Sequence, residues 1–357
     1  MTAASGNDGI STDELALATR NHGMPLEFLR HDVTPVGAHY VLTHYDVPAV
    51  DTDTWRLHVS GAVDTPLSLS LDDIRVRPRL SRTVTMECAG NGRAFLSPRP
   101  LSQPWLHEAV GTARWSGCSL ADLLAEVGVG HGAVDVVFEG ADRGIEGGQA
   151  QTYARGLSLD EAARAEVVLA DEMNGLPLPP QHGAPLRLVV PGWYGMTSVK
   201  WLRSITVTTE PYTGYQNTRS YRWRTRDDDP GTPMSVMRPR ALMAPPGIPG
   251  FLPRSRFLRP GPVLLEGRAW SGRQSITDVQ VRTDDEGPWR RAELEPPDDP
   301  YAWWRWTFKW EATPGDHVLS CRATDDRGVV QPLEPEWNVG GYGNHAVQRV
   351  AVRVDGA

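Results

Sequence analysis

The chain has 357 residues, which suggests two or three domains of about 150 residues each. Hydrophobic residues make up 40% of the sequence and charged residues 22%, as in ordinary globular proteins. The formal net charge is -8, which argues against a general nucleic-acid-binding protein. No apolar run approaches the roughly 18 residues of a membrane-spanning helix, so we expect no membrane span.

The three cysteines, Cys88, Cys118 and Cys321, form neither CxxC nor CxxCH pairs. Their spacing argues against a zinc ribbon, dithiol redox chemistry and attached haem c, and we expect no haem in this chain. Residues 1–11 are small and polar, with no basic segment before an apolar stretch. They predict no signal peptide and a cytoplasmic protein, although a periplasmic location stays open. Residues 1 to about 12 are predicted to be disordered.

Two segments near the start of the chain contain histidines. Thr19–Gly23 is either a solvated loop or an anion-binding segment that uses a guanidinium and an imidazole. The second segment contains His39 and His44, which are either structural or ligand-binding.

The sequence also predicts several scaffold elements. Trp55–Val59 alternates like a strand, and Ser70–Asp73 reads as the start of a short capped helix. Ser119 caps a second helix, whose apolar face runs to a stop at Gly128. Val134–Phe138 predicts a further strand.

The stretch Val84–Arg93 reads Val-Thr-Met-Glu-Cys-Ala-Gly-Asn-Gly-Arg, and it brings Cys88 from a β-prone run into a glycine turn. The glycines allow positive φ angles and a close approach of the backbone to a ligand. A thiolate is a good ligand for a soft metal, and the guanidinium of Arg93 favours both a thiolate and a bound anion. The alternative is a buried structural cysteine at the end of a strand.

Polar residues recur beside apolar segments further along. Ala109–Trp115 is predicted to be a loop, and Asp142 is either a turn residue or an acceptor for the amino groups of a heterocycle. Three polar residues lie near the ends of apolar strands: His182, Arg187 and Lys200. A strand is predicted to begin at Ser198 and to include Lys200. Three such groups beside glycine loops suit a phosphate-bearing cofactor.

The last third of the chain has a different pattern. Asp227–Arg259 is rich in proline and glycine and is predicted to connect two domains. In Trp304–Trp310, aromatic residues alternate with polar ones. Short alternating strands with glycine, proline and aspartate turns predict an all-β sandwich.

Taken together, these motifs resemble the sulfite oxidase family of molybdenum-cofactor oxidoreductases, from about His39 to Val354. The resemblance rests on the order and spacing of short motifs: Asp53–Leu57, Cys88–Arg93, Glu172–Pro179, His182–Arg187, Ser198–Leu202, Arg322–Asp325, Gln331–Pro332 and Trp337–Asn338. It implies an α+β fold in which a mixed α/β molybdopterin-binding domain, residues 13–228, precedes an immunoglobulin-like β-sandwich. This sandwich, residues 233–355, is expected to join two subunits in a homodimer.

The resemblance also implies a molybdenum–molybdopterin cofactor and gives roles to residues by position. Cys88 matches the cysteine that binds molybdenum. Arg93, Trp105 and Tyr221 match catalytic-pocket residues that face a small oxyanion substrate. The remaining positions match residues that hold the pterin and its phosphate: His39, Tyr40, Thr43, His44, Asp142, His182, Arg187, Ser198, Val199 and Lys200.

Two positions depart from the family pattern. Leu42 and Gly340 stand where sulfite oxidases have substrate arginines. Each lost charge-assisted hydrogen bond is worth on the order of 1.5–3 kcal/mol, so the pocket is less cationic than a standard sulfite site. Either another arginine substitutes, with Arg20 as one candidate, or the natural substrate is not sulfite.

The resemblance implies oxygen-atom transfer to sulfite or a related sulfur oxyanion, with electrons passed to an external acceptor such as a c-type cytochrome or dioxygen. Other hypotheses stay open: a sulfane dehydrogenase component, a reductase of nitrate or an S-oxide, and a cofactor-free binding protein that retains the fold. Intact Cys88 and Lys200 argue against the last. Cys118 and Cys321 lack neighbouring anion-site motifs and are predicted to be structural.

Overall fold

The computed structural model describes residues 9–355, so the disorder predicted for residues 1–8 lies outside the described range. Residues 11 and 12 are not disordered, because they begin helix α1 (Thr12–Arg20). Ser11 Oγ accepts a hydrogen bond from the Glu14 amide, and the Glu14 carboxylate accepts one from the Ser11 amide. This reciprocal capping box satisfies amide groups that the first helical turn leaves free.

The other helices of the described residues are short: α2 (Leu71–Arg75), α3 (Leu120–Val127), α4 (Leu159–Ala162) and α5 (Tyr215–Thr218). Within residues 9–355, no helix is long and apolar enough to cross a membrane. The predictions of α2 and α3 are confirmed. Ser70 and Ser119 cap them through the amides of Asp73 and Asp122, and Gly128 ends α3 with a φ of 66°.

The strands up to residue 233 form one mixed sheet, in which β1 and β10 are parallel, one antiparallel sheet, and a separate pair of short antiparallel strands. In chain order they are β1 (Leu57–Gly61), β2 (Leu67–Leu69), β3 (Arg79–Glu87), β4 (Val110–Ser119), β5 (Asp135–Glu146), β6 (Gln149–Ser158), β7 (Val168–Met173), β8 (Leu176–Pro177), β9 (Arg187–Val189), β10 (Leu202–Thr208), β11 (Arg222–Trp223) and β12 (Thr232–Pro233). One sheet has the order β2-β1-β10-β5-β6, and the other has the order β3-β4-β7-β8 with β9 also paired to β7. The short strands β11 and β12 pair with each other.

Two predictions from the sequence are wrong in this part of the chain, and a third, the strand from Val134, is confirmed but extends further than expected. Ala109–Trp115 is largely strand rather than loop, because β4 pairs with β3 from Arg79 to Glu87. Strand β5 runs past the predicted end at Phe138 to Glu146, with an irregular register after Glu139. Ser198–Lys200 does not open a strand, since β10 begins only at Leu202 after a residue with positive φ, Trp201.

The remaining strands form a two-layer sandwich, as predicted. They are β13 (Arg240–Met243), β14 (Ile248–Pro249), β15 (Arg256–Leu258), β16 (Gly261–Trp270), β17 (Ile276–Arg282), β18 (Arg290–Arg291), β19 (Glu293–Glu295), β20 (Trp304–Ala312), β21 (Gly315–Asp325) and β22 (Gln348–Val354). The layers have the orders β13-β16-β20-β19 and β14-β15-β22-β21-β17-β18. Trp306, Phe308 and Trp310 alternate into the core between them.

The segment Asp227–Arg259 is more than a connection, because it contributes strands β13 to β15 to the sandwich. The domain boundaries 13–228 and 233–355 stay predictions. Cys118 and Cys321 are buried in the two apolar cores, where they pack as small hydrophobic residues.

A buried ion pair joins the sandwich to the strand that carries Cys88. Arg240 Nη1 lies 2.6 Å from Glu87 Oε1, and the two side chains are 1% and 3% exposed. The Glu87 carboxylate also accepts hydrogen bonds from Asn91 Nδ2 at 3.0 Å and Trp270 Nε1 at 3.0 Å. The carboxylate is therefore held from both parts of the chain, one residue before the cysteine.

We expect Glu87→Gln to lower the free energy of unfolding by about 3–5 kcal/mol, because it leaves the Arg240 charge buried without a counterion. Chemical denaturation followed by tryptophan fluorescence measures the change. Asp228→Asn is the matched control, since the Arg226–Asp228 pair has side chains 76% and 79% exposed and is expected to contribute less than about 1 kcal/mol. A loss no larger than that of the control would contradict the prediction.

Candidate active site

A cavity with about 690 Å³ of empty space, part of it open to solvent, lies where the two sheets of the first part of the chain meet. The end of β3, the start of β9 and residues of β5 and β6 contribute to its walls, together with the segments 39–44 and 195–201. The cavity is lined by ten of the residues singled out from the sequence: His39, Tyr40, His44, Cys88, Asp142, His182, Arg187, Ser198, Lys200 and Tyr221.

Cys88 follows β3 directly and enters a tight turn. The Asn91 amide donates to the Cys88 carbonyl at 2.9 Å, and Gly92 has a φ of 85°, which favours glycine at this position. The side chain is 6% exposed. Burial raises the pKa of the thiol, although the Arg93 guanidinium, the Gly90 amide and the Trp105 side chain act in the opposite direction. The free thiol therefore keeps its proton at neutral pH, and a metal ion would displace that proton on binding.

Two cations in the cavity lack carboxylate partners among residues 9–355. Arg187 donates to the carbonyls of His182 and Ser198, both at 3.0 Å, and its guanidinium lies 4.6 Å from the centre of the Trp115 ring. Lys200 Nζ donates to the carbonyls of Leu42 and Gln181 at 2.9 and 3.0 Å. Buried charges without counterions are costly, so this pair of residues favours an anionic ligand.

Burial shifts the pKa values of both cations. It lowers the pKa of Arg187 to about 10. It also lowers the pKa of Lys200 to about 7, with repulsion from Arg187 adding to the effect and attraction by Asp142 opposing it. A bound phosphate would reverse these shifts, because a nearby negative charge favours the protonated form.

Three further polar side chains of the cavity are buried, and two of them present ring nitrogens without partners. His39 Nε2 and His182 Nε2 are buried and form no hydrogen bond within the described residues. Burial lowers the pKa of His39 to about 4 and that of His182 to about 2, so both imidazoles are neutral. Asp142 is 4% exposed, and burial raises the pKa of its carboxyl group to about 6. Such groups usually find partners, and here a ligand would supply them.

His44 and Tyr221 belong to one hydrogen-bond network. His44 Nε2 lies 2.9 Å from Glu146 Oε2, and its Nδ1 lies 3.4 Å from the Tyr221 hydroxyl. Glu146 also accepts from Tyr45, Gln216 and Ser220. Although burial raises the pKa of Glu146, these donors lower it to about 2, so an ionised carboxylate orients the imidazole towards Tyr221.

Four predicted site residues do not line the cavity. Thr43 and Val199 are buried, and their backbone groups bond to Asn21 Oδ1 and to the Thr197 carbonyl. Trp105 is buried in the cluster that also contains Cys88. Arg93 donates from Nε to the Gly340 carbonyl and from Nη1 to the Gln103 carbonyl, both at 3.1 Å.

Arg20 does not replace either of the substrate arginines that are missing at Leu42 and Gly340. Its guanidinium binds the Tyr45 carbonyl and the Asp46 carboxylate and lies outside the cavity lining. A side chain at Gly340 would meet the Tyr342 ring 2.2 Å from its Cβ. Tyr342 therefore fills the space beside Arg93, and its ring centre lies 5.2 Å from the Arg93 guanidinium.

The sequence did not point to Arg155, Glu146 or Tyr342. Glu146 lies 102 residues from His44, and Tyr342 lies in the segment after the sandwich strand β21, so only the folded chain brings them to the site. Of these three residues, only Arg155 could have been noticed from its position in the sequence. An arginine that shares a strand face with Tyr153 inside the buried half of β6 breaks the apolar pattern.

Comparison with known proteins agrees with this geometry. Residues 44–216 match the family described as the oxidoreductase molybdopterin binding domain, and residues 254–355 match the Mo-co oxidoreductase dimerisation domain. Mitochondrial sulfite oxidase of Homo sapiens is 35% identical over 354 residues, which cover 92% of this chain and 63% of the human protein. Sulfite oxidase of Gallus gallus is 34% identical over 333 residues, which cover 87% of this chain and 70% of the chicken protein.

The chain belongs to the sulfite oxidase family of molybdenum-cofactor oxidoreductases. A solved structure supports the same conclusion, since the sulfane dehydrogenase SoxCD from Paracoccus pantotrophus has a TM-score of 0.80 at 27% identity, covering 94% of this chain and 86% of that chain. The predicted fold class, an α+β molybdopterin-binding domain followed by a β-sandwich, is confirmed. The chain spans less than two thirds of the length of the mammalian sulfite oxidases that it matches, 63% of the human one.

The cavity suits the cofactor of this family. Arg187, Lys200 and the two neutral imidazoles would hold a phosphate and its linker, and the Asp142 carboxylate would accept from the amino groups of a pterin. Among the described residues, no group of three or more His, Cys, Asp or Glu side chains is arranged to hold a metal ion alone. A single protein sulfur, that of Cys88, suits a metal whose other ligands come from a cofactor.

The pKa of Lys200 gives a test that needs no cofactor. In protein prepared without it, the unfolded chain binds more protons than the folded chain between pH 7 and 9, because the folded-state pKa is lowered. We expect the unfolding free energy of wild type, relative to Lys200→Met, to rise with pH in this window, by at most about 1.4 kcal/mol per pH unit for one proton. Lys309→Met, on an exposed position of β20, is the control. A flat difference between wild type and Lys200→Met would show that Lys200 is charged in the empty cavity.

Proposed function

We propose that the protein is a molybdenum oxidoreductase that transfers an oxygen atom to sulfite or a related sulfur oxyanion. One observation carries this proposal: a buried cysteine opens into a cavity whose cations have no carboxylate partners. The same cavity thus contains a sulfur atom that could bind the metal, that of Cys88, and positive charges that could bind anions, those of Arg187 and Lys200. The fourteen residues predicted from the sequence are proposed in the same roles, with Thr43 and Val199, which do not line the cavity themselves, lying within the segments that do.

The cofactor supplies the two-electron redox chemistry and the transferable oxygen when it is bound. The residues of this chain bind and orient the substrate. Arg93, which lies beside Cys88, lowers the energy of an anion at the metal, and the Tyr221 hydroxyl offers a hydrogen bond at the cavity wall. His44 stays fixed on Glu146 and keeps the Tyr221 hydroxyl in place.

Oxidation of sulfane sulfur is a second candidate. It is favoured by the similarity to the sulfane dehydrogenase SoxCD and by Leu42 and Gly340, which remove two charges from the standard sulfite pocket. Reduction of nitrate or of an S-oxide is a third, because nitrate reductase of Hordeum vulgare is 31% identical over 352 residues, although these cover only 39% of that protein. A substrate screen with one enzyme preparation ranks these candidates.

The proposed partners follow from the same reasoning. Electrons pass to an external acceptor, a c-type cytochrome or dioxygen, and the second matched domain pairs two subunits in a homodimer. A cytoplasmic location is proposed, and cell fractionation tests it.

The decisive experiment combines metal analysis with steady-state kinetics. Protein expressed in a host that makes the cofactor is expected to contain molybdenum and to oxidise sulfite with ferricyanide or cytochrome c as acceptor. Bound molybdenum without sulfite turnover would favour the sulfane or reductase alternatives. Protein without molybdenum from the same host would instead favour a cofactor-free binding protein.

We expect Cys88→Ser to abolish sulfite turnover while the protein stays folded, because the hydroxyl replaces the proposed metal ligand with a harder and less acidic donor. Circular dichroism checks the fold, and the assay above checks activity. Cys321→Ala, in the core of the sandwich, is the matched control and is expected to retain activity. Turnover like that of wild type in Cys88→Ser would refute the metal-ligand role.

A further inference from the structure

Two buried arginines flank a pair of tyrosines beside the cavity. The rings of Tyr221 and Tyr342 lie 5.2 Å apart between centres. The Arg93 guanidinium lies 5.2 Å from the centre of the Tyr342 ring, and the Arg155 guanidinium lies 5.7 Å from the centre of the Tyr221 ring. Both distances are within the range of cation–π contact. We call these four side chains the arginine–tyrosine column.

Arg155 is a strongly buried charge with few polar contacts. It is 3% exposed, and its one hydrogen bond within the described chain runs from Nη1 to the Gln216 carbonyl. Its Nε is buried without a partner. Burial lowers the pKa of Arg155, tyrosines 153, 212, 221 and 342 act in the opposite direction, and no carboxylate of residues 9–355 forms an ion pair with the guanidinium.

The position of Arg155 relates it to the cavity. Residues 153 and 155 are two positions apart in β6 and therefore lie on the same face of the strand, and Tyr153 lines the cavity. Tyr221, on which the guanidinium packs, also lines it. We call Tyr221 and Tyr342 the aromatic wall. Arg155 packs on this wall at Tyr221, and Arg93, which lies beside Cys88, packs on it at Tyr342.

We propose that Arg155 supplies the second positive charge of the oxyanion pocket. This inference rests on the proposed function and makes it more specific, since it names the charge that compensates for Leu42 and Gly340. The ligand is a small anion with at least two acceptor oxygens, such as sulfite or sulfate. Arg155 acts as a positioning residue: its charge attracts the anion through a low-dielectric wall, and its packing holds Tyr221 against Tyr342.

The arrangement also explains why a cation is retained at this depth. A buried arginine that served only packing would be replaced at little cost by an apolar side chain of similar length. A charge that attracts substrate has to lie close to the site and away from carboxylates that would cancel it. Arg155 packs on Tyr221, which lines the cavity, and its hydrogen bond goes to a backbone carbonyl rather than to a carboxylate of the described residues.

Sulfate binding to the holoprotein, measured by isothermal titration calorimetry at constant ionic strength, tests the proposal without turnover. We expect Arg155→Met to weaken sulfate binding by about tenfold, because the variant removes an electrostatic attraction across the wall rather than a direct contact. Arg155→Lys keeps the charge and is expected to retain most of the affinity. In the sulfite assay, Arg155→Met should raise KM with little change in kcat, because charge that acts equally on bound substrate and transition state changes binding alone.

Arg256→Met is the matched control, because Arg256 is equally buried, binds backbone carbonyls and lies in the sandwich strand β15. It is expected to leave sulfate affinity unchanged. Hydrogen exchange of wild type adds a measurement that needs no variant: sulfate, but not chloride of equal ionic strength, should slow exchange in residues 153–157 and 216–221.

Each outcome decides the matter. Unchanged sulfate affinity in a folded Arg155→Met protein, or an equal loss in Arg155→Met and Arg155→Lys, would overturn the proposal. If Arg155→Met does not fold, the hydrogen exchange of wild type decides instead. Exchange that sulfate leaves unchanged would overturn the proposal. Exchange that sulfate slows, together with retained sulfate binding in Arg155→Lys, would support it. Arg155-dependent sulfate binding in an enzyme that does not oxidise sulfite would support the anion site and refute the proposed function instead.

Discussion

The ion pair between Arg240 and Glu87 is the contact on which the geometry of the site depends. It is almost fully buried, and it joins the first strand of the sandwich to the last residue before Cys88. Around it, the Asn344 amide group donates to the Gly92 carbonyl at 2.7 Å, and the Gly343 amide donates to the Ala89 carbonyl at 2.7 Å. The cysteine turn is therefore shaped from both sides. A buried pair is rarely a net source of stability, so we infer that this one is retained because it fixes the position of the thiol.

The cavity follows a consistent electrostatic pattern. Arg187 and Lys200 give their hydrogen bonds to backbone carbonyls, and so do Arg93 and Arg155, so that none of these four charges forms an ion pair with a carboxylate of the described residues. Their burial costs free energy in the empty protein, and that cost is offset when anions bind. The first two face the proposed phosphate of the cofactor, and the last two flank the tyrosines next to the thiol. The two proposed anion sites would thus be prepared at the expense of the stability of the ligand-free protein.

Local features of the fold were predictable from the sequence, because short-range chemistry determines them. Ser70 and Ser119 cap their helices through amides three residues away, and Trp306 alternates into a core as a strand period requires. Long-range pairing was not predictable: residues 110–115 became strand only because β3 lies beside them. Most cavity residues came from the family resemblance rather than from spacing. Arg155 was missed because its neighbours, Tyr221 and Tyr342, are distant in sequence and the family pattern gave no role to its position.

Backbone strain supports the view that the aromatic wall is rigid. Four non-glycine residues of the described chain have positive φ angles, and two of them, Trp201 and Tyr221, line the cavity. Such conformations cost about 1–3 kcal/mol each and persist where the surroundings overdetermine them. For Tyr221 the constraint is the Met234 amide, which donates to its carbonyl at 2.8 Å, and the packing of the ring between Tyr342 and Arg155. Because Tyr221 is held in place by these contacts, the proposed selectivity for a sulfur anion would come from charge and hydrogen-bond geometry at this wall.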